Sequence, residues 1–448
     1  DSNYLTNPVQ SLLDKQQRIW VADSSNGLLL KSADLKWLTL GGPQAAIGGN
    51  LFVNEHYIIA PFGNNEKGYA LFNGKEWENY INNGTFQLPN LYAITSSSTE
   101  QNLWFTAKDK ILNINSNKTP EWVQPNSLNG NYYSIQTNSN NHIWAIQDQQ
   151  GLVNYDNKVW SSIPIPNQFV ANGLRNFIST KQGQAWIIAP NQQGIYIYQS
   201  NEVYTTSTWK QLGMQSNNGN LNSMNVLSAA EDKTGAIWVG TDNGIAIFNC
   251  GDISTEPCNA YLPIVRNNGF NGYLFQNEIV HCIAIDGANR KWIGSNKGAW
   301  LLSEDGMNII AHFTKDNSPL PYDTITQILI DPNTGEVFIK SAEQLISYRG
   351  TATAGVNKQG AIQIYPNPVS SSFVGNIAFR GLVENAIVKI TDLTGKLVYQ
   401  TIALGGQAIW NGRTYEGNKV ATGIYLVFVR DTNGSEQAVG KIAIADGY

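Results

Sequence analysis

Six tryptophans recur along this chain in nearly the same local phrase, and a periodic aromatic anchor of that kind admits few folds. The phrases are Arg18-Ile19-Trp20-Val21, Asn102-Leu103-Trp104-Phe105, His142-Ile143-Trp144-Ala145, Gln184-Ala185-Trp186-Ile187, Ala236-Ile237-Trp238-Val239 and Arg290-Lys291-Trp292-Ile293. Two weaker copies, His56-Tyr57-Ile58-Ile59 and Glu336-Val337-Phe338-Ile339, complete a series anchored at 20, 58, 104, 144, 186, 238, 292 and 338. Spacings of 38 to 54 residues belong to four-stranded propeller blades.

The clearest copy shows why each repeat is built from strands. Val226 to Glu231 reads as a short apolar strand, Asp232-Lys233-Thr234-Gly235 as a turn and Ala236 to Gly240 as a second strand. Asp242-Asn243-Gly244 makes another turn before Ile245 to Phe248. Asparagine and glycine supply the positive φ of tight hairpins, and turns this close leave no room for helices. A second aromatic follows most anchors: Trp37, Trp77, Trp122, Trp160, Trp209, Tyr261 and Phe313. These predict large rings on the fourth, outer strands, where the wedge between blades widens. Small residues such as Ala229 and Ala284 suit first strands crowded around the axis.

The eighth copy carries three strands and then runs into Gly350-Thr351-Ala352-Thr353-Ala354-Gly355, which no fourth strand could use. Asn3-Tyr4-Leu5-Thr6 at the start of the chain could supply the missing edge and close an eight-bladed ring. The other reading is a seven-bladed ring with one copy docked elsewhere. Either way residues 1–350 form the propeller, 351–360 a linker and 361–448 a separate domain. The expected class is all-β: a propeller of seven or eight four-stranded blades followed by a small Ig-like β-sandwich.

Composition narrows the function. Charged residues make up 14% of the 448 and the net charge is −5, with no lysine or arginine run to neutralise phosphates; nucleic-acid binding is therefore not expected. No apolar run reaches the roughly 18 residues of a membrane-spanning helix. Asp1 follows no methionine or leader, as in a mature secreted protein or a trimmed chain. Cys250 and Cys258, eight residues apart in one loop, can close a disulfide in an oxidising compartment or remain free thiols. Cys282 lies in a first-strand pattern and reads as a small buried hydrophobe.

Signals for catalysis are poor. His56, His142, His281 and His312 show no metal-ligand spacing, and neither a Gly-x-Ser-x-Gly elbow nor a phosphate loop occurs. Asp232, Asp286 and Asp331 each precede a second strand by one turn, where a carboxylate most simply accepts backbone N–H bonds; a repeated Ca²⁺ site on one rim is the alternative. The same turn resembles the Asp box of sialidases, but no arginine trio accompanies it. No catalytic residue, cofactor or metal ligand is assigned, and the chain reads as a non-enzyme.

Residues 361–448 change texture. Seven short strands are expected at 362–365, 374–379, 386–392, 397–402, 406–411, 423–430 and 437–445. Ile364-Tyr365-Pro366-Asn367-Pro368-Val369, Ile390-Thr391-Asp392-Leu393-Thr394-Gly395-Lys396-Leu397-Val398, Trp410-Asn411-Gly412, Ala421-Thr422-Gly423-Ile424-Tyr425-Leu426-Val427 and Gly440-Lys441-Ile442-Ala443-Ile444 together resemble the C-terminal sorting domain of type IX secretion cargo in Bacteroidetes. Asp232 to Thr241 is similar to the propeller repeats of two-component regulator sensors. The combination resembles the PorZ-like components of the type IX cell-surface attachment complex, although those carry two propellers and this chain has repeats for one.

What this resemblance implies is a scaffold at the cell surface, associated with the outer membrane, whose sorting domain is kept. The implied partners are a PorU-like sortase, PorV-like and PorQ-like outer-membrane proteins, and anionic lipopolysaccharide. An anionic glycan wants cationic and aromatic contacts; the sandwich offers Arg380, Lys389, Lys396, Arg413, Lys419 and Arg430. The plain alternative is that these are solvated strand-face charges. Two other functions stay open: a type IX cargo whose propeller binds or degrades glycans behind a removable tag, and a sensor ectodomain.

Overall fold

The computed structural model describes residues 8–13, 19–23, 27–31, 37–39, 48–54, 58–62, 67–73, 77–81, 88, 90–96, 102–115, 120–123, 130–148, 151–169, 173–174, 176–189, 191–201, 207–267, 270–342, 344–370, 372–432 and 434–445. Every regular element among them is a strand, and no helix is long and apolar enough to cross a membrane. Eight antiparallel meanders follow one another in the order of the tryptophan repeats. They span 8–39, 52–81, 91–123, 132–164, 177–212, 226–248, 280–313 and 327–349.

Seven of the eight form the ring. Its closing contact is made by Gln327, on the first strand of the last sheet. The backbone N–H of Leu51 donates to Gln327 Oε1 at 2.9 Å, and Gln327 Nε2 donates back to the Leu51 carbonyl at 3.1 Å. Lys340 Nζ reaches the Gly49 carbonyl at 3.2 Å, while Leu51 and Ala60 pack with Trp77, Leu329 and Leu345. The last sheet therefore meets the 52–81 sheet directly, and successive sheets between them touch all the way round. We number the ring from 52–81 as blade one to 327–349 as blade seven. No gap remains for an eighth blade, so the sheet of residues 8–39 stands outside the ring, its strands paired only with one another among the described residues. The Asn3–Thr6 segment invoked for an eight-bladed closure lies outside the described residues. Blade seven has three strands.

The anchor tryptophans, rather than the outer-strand rings alone, fill the wedges between blades. Trp104, Trp144, Trp186, Trp238 and Trp292 lie on second strands and are at most 4% exposed. Each reaches the third strand of the following blade. Trp104 meets Tyr155 at 5.4 Å between ring centroids, Trp144 meets Tyr198 at 5.9 Å, Trp186 meets Phe248 at 5.2 Å and Trp292 meets Tyr348 at 5.8 Å. Trp238 instead packs with Leu302 and carries the Lys291 ammonium 4.8 Å above its ring. Trp77, Trp122, Trp160 and Trp209 sit on fourth strands. Truncating one buried anchor to alanine would cost about 3–5 kcal/mol, so each of the five boundaries that follow blades two to six depends on its own ring.

Blade five departs from the pattern. Its fourth position is held only by the bridge from Tyr261 to Ile247, reached through a loop in which Cys250 and Cys258 are disulfide-bonded. An extra hairpin, Ile264–Asn267 with Phe270–Tyr273, follows before blade six. Removing the side chain of Gln327 strands both buried Leu51 backbone groups, so Gln327→Ala is expected to lower unfolding free energy by about 1–3 kcal/mol. A urea titration followed by tryptophan fluorescence measures this, and an unchanged midpoint would refute the clasp.

Candidate functional site

Two sheets build the C-terminal domain. One holds Gln363–Tyr365, Ile377–Arg380 and Gln407–Trp410; the other runs Val369–Ser370, Glu436–Ala445, Gly423–Arg430, Ile387–Thr391 and Leu397–Ile402. Trp410, Phe379, Val388, Ile390, Val427, Val429 and Ile442 fill the space between them. The chain crosses between sheets at Pro366–Pro368, and the short Val369–Ser370 strand pairs parallel to the last strand. That strand escapes sequence reading because two residues show no alternation.

The six cations have separate environments. Arg380 points at the propeller: its Nε donates to Gln407 Oε1 at 2.7 Å and its Nη2 to the Thr334 carbonyl of blade seven at 2.9 Å. Burial lowers its pKa, as does nearby Arg349, against Asp331 and Glu336. Lys389 pairs with Glu436 at 2.6 Å. Arg430 is exposed at the end of its strand, beside the Gly434 turn. Lys396, Arg413 and Lys419 come together at one end of the sandwich. Arg413 and Lys419 face each other across a bridge. Glu416, between them in sequence, is held below the usual carboxylate range first by the Thr414 hydroxyl and, among weaker causes, by Lys396. Tyr415, 60% exposed, packs at a tilt against Tyr399, with 5.2 Å between ring centroids. The structure thus gathers three of the six near Glu416 and Tyr415, bonds Arg380 and Lys389 elsewhere and leaves Arg430 exposed at its strand end.

The junction between sandwich and propeller is a second cluster. Turns of blades five, six and seven all face it. Lys233 Nζ donates to the Gly287 carbonyl and to Glu384 Oε1 of the sandwich, both at 2.5 Å. Arg290, held by Asp286 at 2.7 Å, donates to the Thr351 hydroxyl at 3.1 Å. The Ala354 N–H reaches the Pro332 carbonyl at 2.6 Å, and the Gly406 N–H reaches the Thr353 carbonyl at 2.8 Å. Ala352 and Thr353 are 2% and 3% exposed. A Cβ at Gly287 would lie 1.9 Å from the Thr353 carbonyl oxygen, and one at Gly405 2.1 Å from the same atom. The first part of the 351–360 linker is therefore clamped between two glycines. Glu384, Lys233, Gly287 and Gly405 were invisible in the sequence as a set, since nothing local links positions so far apart.

The repeated aspartates shape these turns. Asp232 Oδ1 accepts from the Thr234 N–H, the Thr234 hydroxyl and the Ala236 N–H, and Oδ2 accepts from the Trp238 indole at 3.0 Å. Asp392 of the sandwich repeats the pattern with Thr394 and Lys396. Burial pushes the Asp232 pKa up, but Thr234, Lys291 at 3.1 Å and Trp238 together outweigh it and hold the carboxyl below its ordinary range. Among the described residues no group of three His, Cys, Asp or Glu side chains is placed to hold a metal. His281 bonds Asn296 at 2.7 Å and His312 stacks on Trp300; His56 lies outside the described residues. Burial pushes the Cys282 thiol up to about 12, which leaves it protonated and inert.

Residues 363–445 match the family described as secretion system C-terminal sorting domain, and residues 220–243, in blade five, match the two component regulator propeller. Over 98% of its length the chain superposes on PorZ, an essential bacterial surface component of the type-IX secretion system of Porphyromonas gingivalis, at 21% identity and a TM-score of 0.63. The chain is PorZ-like in fold. It spans 66% of the length of PorZ. The extracellular domain of a one component system from B. thetaiotaomicron follows at 13% identity and a TM-score of 0.48, covering 98% of this chain and 69% of that one. A copper-bound fungal alcohol oxidase of the AA5 family reaches 0.50 at 12% identity, covering 92% of this chain and 99% of the oxidase. No curated protein matches the sequence.

Two outcomes follow for the junction. Gly287→Val places a side chain where the Thr353 carbonyl lies, so limited proteolysis should cut within 350–360 about tenfold faster than in the native chain; equal rates would mean that the clamp does not hold the linker. Because the folded-state pKa of Asp232 is depressed, its contribution is full at neutral pH and is lost as pH falls from about 4 through the lower folded value. Asp232→Asn should accordingly flatten the acid limb of the stability profile measured by thermal melting.

Proposed function

We propose that this protein is a non-enzymatic component of type IX secretion, displayed on the cell surface in association with the outer membrane. In this reading its sorting-type domain stays attached and helps present anionic lipopolysaccharide to a PorU-like sortase, beside PorV-like and PorQ-like partners. The observation that carries it is the junction. Ala352 and Thr353 are buried and their backbone is bonded on both sides, which docks the start of the linker on the propeller, while Ala354, Val356, Asn357, Lys358 and Gly360 are exposed. The docking supports a domain that stays in place. Separating the sandwich from the propeller would break Arg290–Thr351, Lys233–Glu384 and Arg380–Thr334.

The glycan-facing surface in this reading is the Lys396, Arg413 and Lys419 end of the sandwich. Its ammonium and guanidinium groups suit phosphate or carboxylate, and Tyr415 offers a flat apolar face for sugar rings. Arg380 and Lys389 are left out of this surface because Arg380 is turned onto blade seven and Lys389 is paired with Glu436; within it, Arg413 also donates to the Gly417 carbonyl at 2.6 Å.

The intact mass of the protein taken from native outer membranes tests retention: a species that includes 361–448 is expected, and loss of that segment would make the propeller a secreted cargo. Replacing Lys396, Arg413 and Lys419 by glutamate should weaken binding to purified anionic lipopolysaccharide by about tenfold or more and flatten its salt dependence. Unaltered binding would move the glycan site elsewhere.

A further inference from the structure

Blade six carries a second site unrelated to the sandwich. A cleft of about 490 Å³ opens between the extra hairpin after blade five and the outer edge of blade six. Its walls are Val265, Leu274, Phe275, Trp300 and Ile309, and Glu278 lies among them. The size and mostly apolar lining fall within the range of specific ligand pockets. The rim is apolar too: Tyr273, Met307 and Ile309 are 44%, 38% and 62% exposed.

The wall is held rigidly. Phe275 and Asn277 both take φ near +60°, a conformation that costs a non-glycine residue energy unless its surroundings enforce it. Here they do: the Glu278 N–H donates to the Phe275 carbonyl at 2.9 Å, and the Glu278 carbonyl accepts from the Gly244 N–H at 3.0 Å. Asn277 N–H is bonded to Asn243 Oδ1 at 3.0 Å. Phe275 stands edge-on to Trp300 at 5.4 Å, whose other support is the stacked His312 ring.

Glu278 is 6% exposed, and its carboxylate is only half used. Oε2 pairs with Lys297 Nζ, but Oε1 has no hydrogen-bond partner among the described residues. A buried carboxylate oxygen left alone is unfavourable. Its one counter-ion among the described residues is a side chain 69% exposed, which can swing into water at little cost.

We propose that this cleft receives an arginine side chain of a partner protein. A guanidinium presents two parallel N–H donors that fit both carboxylate oxygens, satisfying Oε1 and replacing Lys297 at Oε2. Its three-carbon stem suits the apolar walls, and Phe275 and Trp300 provide aromatic neighbours of the kind guanidinium groups favour. Rim residues Tyr273, Met307 and Ile309 would be covered by the apolar surroundings of that arginine, as in an interface with one anchoring residue. The net charge of −5 also favours approach of a basic surface. A sugar fits less well, because one deep carboxylate in an apolar cleft leaves most hydroxyls unpaired.

Calorimetric titration of the full chain with N-acetyl-arginine amide, against its uncharged isostere N-acetyl-citrulline amide, tests the assignment. Saturable binding of the arginine probe is expected, with citrulline at least about tenfold weaker. Glu278→Gln should reduce arginine binding to the citrulline level. Lys297→Ala should strengthen it severalfold by removing the internal competitor, a gain that a purely structural ion pair would not give. Since Lys297 is exposed, this variant decides the matter even if Glu278→Gln fails to fold. Equal binding of the two probes, no saturable binding, or a Lys297→Ala variant that binds no more tightly overturns the proposal.

Discussion

The structure depends on burial of one second-strand tryptophan in each of blades two to six against the following blade, in four of the five against an aromatic ring. A propeller blade has two apolar faces and cannot satisfy either alone, so its stability comes from its neighbours. Trp104 against Tyr155, Trp144 against Tyr198, Trp186 against Phe248 and Trp292 against Tyr348 repeat one solution around the ring. Where the receiving ring is absent, at Trp238, a buried lysine lies over the indole and bonds to the Asp232 turn. That substitution keeps the wedge filled and ties the turn of blade five to the strand of blade six.

The turns at one face then serve a second purpose. The aspartates that fold each turn inward leave the flanking Lys233 and Thr334 positioned to grip the sandwich and Arg290 to grip the linker at Thr351. Packing of blades, local turn chemistry and domain docking are therefore linked through the same few residues. This link buries Ala352 and Thr353 at the start of the connecting segment, the docking on which the proposal of a retained domain rests.

Much of this was legible in the sequence. The aromatic period located the blades, the second aromatic of each copy located the outer strands, and the aspartate turns were read correctly as backbone acceptors. The sandwich strands fall close to their expected spans, apart from Val369–Ser370. The site was less legible. Of six surface cations, composition could not say that Arg380 faces blade seven or that Lys396, Arg413 and Lys419 converge near Tyr415. The Glu278 cleft left no signal at all, because an isolated glutamate between a hairpin and a strand resembles any other.

By itself, then, the sequence determined the repeating unit, the all-β class and the two-part organisation, because hydrophobic period and turn chemistry act over a few residues. Ring size, domain docking and the environment of each charge were decided only by tertiary structure. Eight similar repeats allow seven or eight blades with equal local energy. Gln327 meeting Leu51 across 276 positions selects seven, and a contact of that separation has no trace in local pattern.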